Sequence, residues 1–357
     1  MVNATRKMFD TKASIITAGM FCSRSKEFPV AAHKQFLNTL SVSFWKAFWL
    51  TMRPYLIFIS GSAGLVGLSF IESPHPIRVI PAFLPLLFSY GLGQALTDCF
   101  QTDTDAISSP YRPLVRGIIS RKQVFAISLA GLILGIILLT YLNPFIFLAG
   151  GAAVLGLLSY TIFKKKWWGG PFWNSWIVAL LPIIGRMVDR SFRVKDVFHF
   201  NNLQSTAFLF AIVALHFGYG NFVVMGYLKD VSADSQTGYR TFPVVFGWKA
   251  TAIYSDSLAL IAAFFTGLTL FSIGNPSLLG LAIFVAALAV NFIAQVKIHR
   301  TRQESQANRP IANVVRAFIL YALVIVVTLK MEWVALSAVF YLLFEVALKT
   351  RPEKTQV

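Results

Sequence analysis

The chain contains 357 residues, of which 56% are hydrophobic and only 13% are charged. Soluble domains carry about 25% charged residues, so the composition excludes an ordinary soluble protein and predicts a membrane protein. Apolar runs of about 20 residues, long enough to cross a bilayer, recur along most of the sequence. Because backbone groups inside a bilayer must pair within each span, these runs predict α-helices and exclude open sheets.

The formal net charge of +17 is distributed unevenly along the chain. If both chain ends lie on the same side of the membrane, all but six of the 32 Lys and Arg fall on that side. This skew is the positive-inside pattern, which predicts a cytoplasmic N-terminus and cytoplasmic long loops. It also suits attraction to anionic lipid and to an anionic substrate, so no nucleic-acid partner is needed to explain it. The six exceptions are Arg78, Arg186, Arg190, Arg193, Lys195 and Lys330.

The sequence divides into a leader, a transmembrane domain and a tail. Residues 1–50 predict an N-terminal leader that ends in an amphipathic, Trp- and Phe-rich helix lying in the membrane interface. Residues 51–348 contain the apolar runs, and residues 349–357 form a short basic tail. We predict an all-α bundle of about nine transmembrane helices, or ten if the chain turns in a tight hairpin at Lys330. The candidate spans are 54–71, 78–97, 123–142, 145–162, 171–188, 206–227, 250–272, 276–296, 313–329 and 331–348.

The first long loop, residues 98–122, begins where the second span ends. If the helix continues past the membrane face, residues four apart line one stripe of it. Thr97, Gln101 and Asp105 would then form such a stripe. The carboxylates of this loop are Asp98, Asp103 and Asp105.

The second long loop, residues 228–248, follows the sixth span. Asp230 and Asp234 stand one helical turn apart in it, so both carboxylates are predicted to face the same way. The two loops together hold five of the 15 acidic residues of the chain. Both acidic clusters therefore lie at the same, predicted cytoplasmic, membrane face.

A solvated acidic helix end is the simplest interpretation of such clusters. Against it, like charges one turn apart repel each other unless a cation offsets them. Mg²⁺ binds carboxylate oxygens together with waters and substrate phosphates. Two facing clusters that each hold a Mg²⁺ ion could therefore clamp one diphosphate between them.

Four segments around these loops resemble motifs of the UbiA superfamily of intramembrane prenyltransferases. The segment DAISSPYRPLVRG is similar to the signature after the first acidic motif, closest to the chlorophyll-synthase-like pattern. The segment KDVSADSQTGYRTFPVVFG is similar to the second motif. Met52-Arg53-Pro54 resembles the Arg-Pro that opens the first span, and Ser159-Tyr160-Thr161, the lysines after it and Asn174 resemble the stretch that follows the fourth span.

Three positions depart from the pattern of that superfamily. Thr97 stands in place of an Asn, Gln101 in place of the middle Asp of the first motif, and Tyr227 in place of the leading Asp of the second. These departures leave the metal geometry and the reaction type open. The carboxylates that remain in register are Asp98, Asp105, Asp230 and Asp234, with Asp103 in addition.

The resemblance implies a central cavity ringed by nine helices, with a cytoplasmic cap formed by the two long loops. It implies two or more Mg²⁺ ions that neutralise the leaving group of a polyprenyl diphosphate. The implied catalytic carboxylates are Asp98, Asp105, Asp230 and Asp234, which also bind metal, with Asp103 and Gln101 as further ligands. The implied diphosphate contacts are Arg53, Arg112, Tyr160, Lys164, Lys165, Lys229 and Arg240. The alternative role for any single Lys or Arg among them is that of a positive-inside anchor.

Several further polar side chains lie within the predicted spans, where such groups are expensive and often functional. A helix–helix hydrogen bond is the alternative role for each of them. The candidates for the wall of the cavity are Gln94, Asn174, His216, Tyr219 and Asn221.

Three hypotheses for the activity follow from these features. The leading one is transfer of the prenyl group to an acceptor, which the sequence does not identify. The second is cyclisation of the prenyl diphosphate without an acceptor, since the superfamily includes membrane-bound terpene cyclases. The third is a transporter or a non-catalytic lipid-binding protein, although transporters place ionisable residues near the bilayer midplane, whereas these carboxylates lie at one face.

Overall fold

The computed structural model describes residues 36–193, 195, 202–274 and 276–351. These residues form α-helices joined by turns and short 3₁₀ segments, without strands in the described part of the chain. Most of the predicted leader, and the end of the predicted tail, lie outside the described residues. The helices are α1 (Val42–Thr51), α2 (Ile57–Ser69), α3 (Pro76–Asp98), α4 (Thr102–Ser108), α5 (Arg121–Leu142), α6 (Ile146–Lys164), α7 (Gly169–Arg186), α8 (Leu203–Tyr227), α9 (Val231–Gln236), α10 (Phe242–Ile273), α11 (Leu278–Arg300), α12 (Asn308–Leu329) and α13 (Val334–Lys349).

Within the described residues, eight helices are long and apolar enough to cross a membrane. They are α3, α5, α6, α8, α10, α11, α12 and α13, the last two each counted with the 3₁₀ turn before it. The shorter apolar helix Pro54–Ser69 lies at the first predicted span, and α7 lies at the fifth. The prediction of a multi-pass all-α membrane protein is therefore confirmed.

A hairpin separates the last two helices. The helix α12 ends at Leu329, and the amide of Lys330 donates to the carbonyl of Val326. A 3₁₀ turn, Met331–Trp333, then leads into α13. The chain therefore follows the tight-hairpin alternative at Lys330.

The helix α1 has the two faces predicted for an interfacial segment. Its first turn is capped by Ser41, whose Oγ accepts a hydrogen bond from the amide of Phe44. Phe44 and Phe48 are buried, whereas Trp45 and Trp49 are about half exposed. Tryptophans are enriched where a membrane meets water, which suits this arrangement.

Two helices form the centre of the bundle. In α12, 78% of the residues in its apolar 18-residue stretch are buried within the protein, and in α8 the corresponding share is 67%. The other six long helices bury only 22% to 33% of theirs, because their remaining surface faces outward. An apolar surface of this kind is stable only against lipid, which agrees with a membrane location.

The chain alternates direction from span to span, so the ends of α3, α6 and α8 lie at one end of the bundle. A hydrogen bond from the amide of Arg240 to the carbonyl of Lys165 joins the second long loop to the end of α6 there. The short helices α4 and α9 lie on top of this end and pack against each other. We call it the acidic end, because it carries the five aspartates of the two long loops.

Candidate active site

A cavity of about 660 Å³ extends from the acidic end into the helix bundle. Its walls come mainly from α3, α5, α6, α7 and α8. The wall is apolar over most of its area, and the charged side chains are gathered at the acidic end. The charged lining residues are Arg53, Asp98, Asp105, Arg112, Lys164, Lys229 and Asp230.

The first long loop breaks its helix earlier than the sequence pattern predicts. The helix α3 ends at Asp98, and α4 begins separately at Thr102. The predicted stripe of Thr97, Gln101 and Asp105 on one continuous helix is therefore wrong. All three residues still line the cavity, because the break folds α4 back over its mouth.

Asp98 is the most heavily paired carboxylate of the first loop. A guanidinium nitrogen of Arg53 lies 2.9 Å from each of its two oxygens. The side-chain amide of Gln94 donates to Oδ1 at 2.7 Å, and Arg112 lies 3.7 Å from Oδ2. The side chain of Asp98 is only 4% exposed, so these contacts offset the desolvation of its charge.

Asp105 forms a buried ion pair with Arg112. Burial raises the pKa of Asp105, and the neighbouring Arg112 opposes that shift. Oδ2 of Asp105 has no hydrogen-bond partner among the described residues beyond this ion pair. Such an oxygen can accept a further cation.

The second long loop divides its two aspartates between different surroundings. Asp230 precedes the short helix α9 and lines the cavity. Asp234 lies in the first turn of α9 with no exposed surface, and it is outside the cavity wall. The two carboxylates therefore differ in exposure to the cavity, although the amide of Asp234 donates to the carbonyl of Asp230 as the predicted helical turn requires.

Lys164 connects the two loops at the last turn of α6. Its Nζ donates to Oε1 of Gln101 in the first loop at 2.7 Å. The same Nζ lies 3.6 Å from Oδ1 of Asp234 in the second loop. Lys164 is buried, yet it lines the cavity, so its ammonium is available at the acidic end.

The two loops also touch directly above the cavity. The hydroxyls of Thr104 and Thr237 lie 3.3 Å apart, and Tyr239 donates a hydrogen bond to Asp103 at 3.4 Å. The two acidic loops therefore meet across one cavity mouth. A single site formed by residues of both loops requires such a contact.

Besides Asp234, five predicted site residues lie away from the cavity wall. Lys165 and Arg240 are exposed, and Nζ of Lys165 sits 4.9 Å above the ring of Tyr239. Asp103 is exposed and accepts the hydrogen bond from Tyr239. These three charged groups belong to the outer surface of the cap, because water solvates them better there than a narrow cavity does.

The predicted cavity positions of His216 and Asn221 are also wrong. Asn221 accepts a hydrogen bond from Ser255 at 2.5 Å and one from Gln295 at 3.4 Å, which joins α8 to α10 and α11. The imidazole of His216 lies edge-on to Phe172, 5.8 Å between ring centroids. Asn221 therefore has the alternative role given in the sequence analysis, a hydrogen bond between helices.

The remaining candidates do line the cavity, together with one residue that the sequence analysis missed. Gln94, Asn174, Tyr160 and Tyr219 are part of its wall. The missed residue is Tyr90, whose hydroxyl accepts a hydrogen bond from Tyr219 at 3.3 Å. Its position one turn before Gln94 on the same helix was the available signal.

Tyr160 pairs with the residue that departs from the family pattern in the second motif. The hydroxyls of Tyr160 and Tyr227 lie 3.1 Å apart, and both residues line the cavity. Lys229, two residues further along, is partly buried in the same wall. Burial lowers the pKa of Lys229 to about 8.

The donor set fits a hard cation that is shared with a phosphate. Among the described residues, no three acidic, His or Cys side chains come together as a metal cage. Mg²⁺ is commonly bound by one or two carboxylates, with phosphates and waters completing its shell. The cavity wall offers oxygen ligands of this kind from Asp98, Asp105 and Asp230.

Curated relatives of the chain are named as synthases of a prenylated glyceryl phosphate. Digeranylgeranylglyceryl phosphate synthase of Pyrococcus horikoshii is 29% identical over 244 residues, which cover 67% of this chain and 80% of the relative. The enzyme of the same name from Thermococcus kodakarensis is 27% identical over 224 residues, covering 61% and 75%. The product in these names carries geranylgeranyl groups on glyceryl phosphate, which does not favour cyclisation as the activity.

Solved structures share the fold at low sequence identity. A UbiA homologue from Archaeoglobus fulgidus, bound to DMAPP and Mg²⁺, has a TM-score of 0.57 at 17% identity and covers 78% of this chain and 98% of its own. A UbiA homologue from Aeropyrum pernix, without ligand, has a TM-score of 0.61 at 18% identity and covers 74% and 96%. Likeness at this identity concerns the arrangement of the helices.

The family comparison covers the cavity and both acidic loops. The sequence model of the UbiA prenyltransferase family matches residues 56–319, from the start of the first span into α12. This range holds both motif segments and most of the cavity wall. The chain belongs to the UbiA prenyltransferase family of membrane enzymes.

Proposed function

We propose that this protein is a Mg²⁺-dependent enzyme that ionises a polyprenyl diphosphate and transfers the prenyl group to an acceptor, releasing diphosphate. One observation carries the proposal: two acidic loops and four cationic side chains meet at the end of an apolar cavity. The polar end suits a diphosphate and the apolar end suits its hydrocarbon chain.

The metal belongs with the carboxylates of the cavity wall. Two or more Mg²⁺ ions are proposed, one with Asp98 and Asp105 and one with Asp230. When bound, Mg²⁺ neutralises the charge that develops on the leaving diphosphate. The bound diphosphate supplies the remaining ligands, which agrees with a wall too poor in carboxylates to cage an ion by itself.

The cationic side chains of the cavity wall are the proposed diphosphate contacts. Arg53, Arg112, Lys164 and Lys229 all line the cavity beside the carboxylates. Guanidinium groups match phosphate oxygens in a two-pronged geometry, and ammonium groups act as compact charges. In the proposed complex these side chains share their hydrogen bonds between carboxylate and phosphate.

The middle of the cavity suits the allylic carbocation that ionisation leaves behind. Tyr90, Tyr219 and Phe222 line this part, and their ring faces attract positive charge. The apolar wall around them excludes water, which would otherwise quench the cation. The acceptor hydroxyl then attacks the cation and gives up its proton, in competition with return of the diphosphate, cyclisation and loss of a proton from the cation.

The acceptor is proposed to be a membrane lipid of the glyceryl phosphate type. The relatives are named for a product with two geranylgeranyl groups on glyceryl phosphate. In agreement with this, some lining residues are about half exposed on the membrane-facing surface. They are Trp45, Trp49, Leu84, Leu134 and Leu138.

The acidic end is proposed to face the cytoplasm. The supporting observation is the excess of Lys and Arg on that side of the predicted topology. A prenyl diphosphate would then reach the cavity mouth from the cytoplasm or its leaflet.

The test uses purified full-length protein in lipid vesicles with geranylgeranyl diphosphate and Mg²⁺. We expect diphosphate release that requires both Mg²⁺ and a geranylgeranylglyceryl phosphate acceptor, and a prenylated product of that acceptor. The variant Asp105→Ala is expected to lower the rate at least a hundredfold, or about 3 kcal/mol, since it removes a charge that stabilises the leaving group. Exposed Asp103→Ala serves as the matched control.

Two results would contradict the proposal. If a cyclic hydrocarbon or alcohol formed without acceptor, the activity would be cyclisation instead of transfer. If Asp105→Ala released diphosphate at the wild-type rate, the acidic end would not be the site of ionisation.

A further inference from the structure

Asp230 stands at the N-cap of the short helix α9, but its side chain does not cap the helix. An aspartate at this position usually accepts a hydrogen bond from the second or third amide of its helix. The side chain of Asp230 makes no such bond, and its backbone, at φ −121° and ψ 15°, is not in the extended conformation typical of an N-cap. Asp230 lines the cavity instead.

Glu304 supplies this cap from another part of the chain. The amide of Ser232, the second residue of α9, donates to Oε1 of Glu304 at 2.7 Å, and the hydroxyl of Ser232 donates to Oε2 at 2.8 Å. Both carboxylate oxygens of Glu304 are therefore engaged at the start of the helix. A negative charge is favourable there, because the first amides of a helix have no partner within it.

Glu304 is anchored to the centre of the bundle. It begins the 3₁₀ turn Glu304–Gln306, and its carbonyl accepts a hydrogen bond from the amide of Ala307. That turn leads directly into α12, which has the most buried apolar stretch of the eight long helices described above. The cap of α9 therefore comes from a fixed point outside the second acidic loop.

We propose that Glu304 is a positioning residue that caps α9 in place of Asp230 and so leaves the Asp230 carboxylate available for Mg²⁺. This rests on the proposed function, which assigns Asp230 to one of the metal ions. Without Glu304, the open amides of α9 would draw the Asp230 carboxylate onto its own helix and away from the metal. Asp234, in the same turn, keeps its hydrogen bond from Thr241 and its contact with Lys164, so the change is confined to Asp230.

Thermal unfolding measures the exchange of caps without metal or substrate. Asp230→Ala keeps the cap from Glu304, and Glu304→Ala allows Asp230 to cap, so each single change should lower the melting temperature by less than about 2 °C. The double variant has neither cap. It should melt about 2–4 °C lower than the sum of the two single changes predicts. Additive single changes would overturn the proposal.

A second measurement determines the Mg²⁺ requirement, defined as the Mg²⁺ concentration for half-maximal binding of a geranylgeranyl thiolodiphosphate to the full chain in vesicles. The analogue is ionised only slowly, so binding is measured and not turnover. Glu304→Ala should raise the Mg²⁺ requirement about tenfold, to the value of Asp230→Asn, because both changes remove the same ligand. Adding Glu304→Ala to Asp230→Asn should change it by less than about twofold. Multiplied effects would contradict an action through Asp230.

Two further variants separate capping from charge. Glu304→Gln keeps a side-chain oxygen for the amide of Ser232, so its Mg²⁺ requirement should stay within about threefold of wild type. Glu332→Ala is the matched control, because Glu332 is exposed in the 3₁₀ turn at the other end of α12. It should change neither measurement. If Glu304→Gln raised the Mg²⁺ requirement as far as Glu304→Ala, Glu304 would act by its charge and the proposal would be wrong.

A milder variant keeps the test decisive if Glu304→Ala does not fold. Ser232→Ala removes one of the two hydrogen bonds to Glu304. It should raise the Mg²⁺ requirement about threefold in wild type and leave it unchanged in Asp230→Asn. Absence of Mg²⁺-dependent analogue binding in wild type would contradict the proposed function itself, whereas the melting temperatures would still decide which residue caps α9.

Discussion

Arg53 combines an unfavourable backbone conformation with a buried ion pair. Its φ of 52° lies in the left-handed region, which only this residue occupies among the described non-glycine residues. Such a conformation in a non-glycine residue costs of order 1–3 kcal/mol and persists only where the surroundings hold it. Here the guanidinium is held by both oxygens of Asp98, so the charge pair and the turn into the first span depend on each other.

Removal of the Arg53 charge should destabilise the protein measurably. Arg53→Met leaves Asp98 buried with Gln94 and the more distant Arg112, and breaking a buried pair in this way costs about 3–5 kcal/mol. We expect a clear fall in the melting temperature of the detergent-solubilised protein. Arg116→Met, at an exposed position of the first long loop, should change the unfolding free energy by less than about 0.5 kcal/mol. Equal effects of the two changes would contradict this account of Arg53.

At the scale of elements, the close contact between α2 and α7 holds two neighbouring helices in place. A Cβ built on Gly67 would lie 2.1 Å from the carbonyl oxygen of Pro182, and one built on Gly185 would lie 2.7 Å from the carbonyl oxygen of Gly64. Both obstacles are backbone atoms, so the helices themselves would have to move apart. Small residues at such contacts are typical of membrane helix packing.

Gly67→Ala should therefore separate α2 from α7 and destabilise the protein. We expect a loss of about 1–3 kcal/mol, the usual range for overpacking. Gly151→Ala in α6 is the matched control, because its Cβ would meet nothing within 4 Å. Since alanine favours a helix over glycine, the control should be neutral or stabilising by up to about 1 kcal/mol. Thermal unfolding of both variants in the same detergent makes the comparison.

The short helices of the cap explain where sequence reasoning failed at this scale. The residues after Asp98 have an acceptable helical pattern, yet α3 stops there and α4 starts afresh at Thr102. Likewise, Asp230 and Asp234 are one turn apart in sequence but differ in burial. Local sequence periodicity does not predict these breaks in the helices, because the breaks depend on the packing of α4 against α9.

At the scale of the whole molecule, the cavity sets the length of hydrocarbon that the site can take. Ala153 lines it on α6, 11 residues before Lys164, or about 16 Å at 1.5 Å per residue. Further lining residues beyond it, Ile146 and Leu139, are buried and close the apolar end. A short prenyl chain would not reach Ala153, whereas a long chain would pass it.

Ala153→Leu should therefore discriminate against long prenyl chains. We expect kcat/KM to fall about tenfold, or about 1.4 kcal/mol, for geranylgeranyl diphosphate and less than about threefold for dimethylallyl diphosphate. Leu155→Phe, two residues away and 68% exposed on the outer surface, is the control and should change neither value. If Ala153→Leu lowered kcat/KM equally for both substrates, the prenyl chain would not pass Ala153.

The sequence alone determined the class of the protein, the positions of its spans and the two acidic loops. Those features follow from hydropathy, charge asymmetry and motif residues, which act locally or through the bilayer and need no knowledge of neighbours. Tertiary structure decided which side chains face the cavity: Tyr90 does, whereas His216, Asn221 and Asp234 do not. Orientation of a side chain depends on which helix packs beside it, and in an apolar chain many packings satisfy the same sequence pattern.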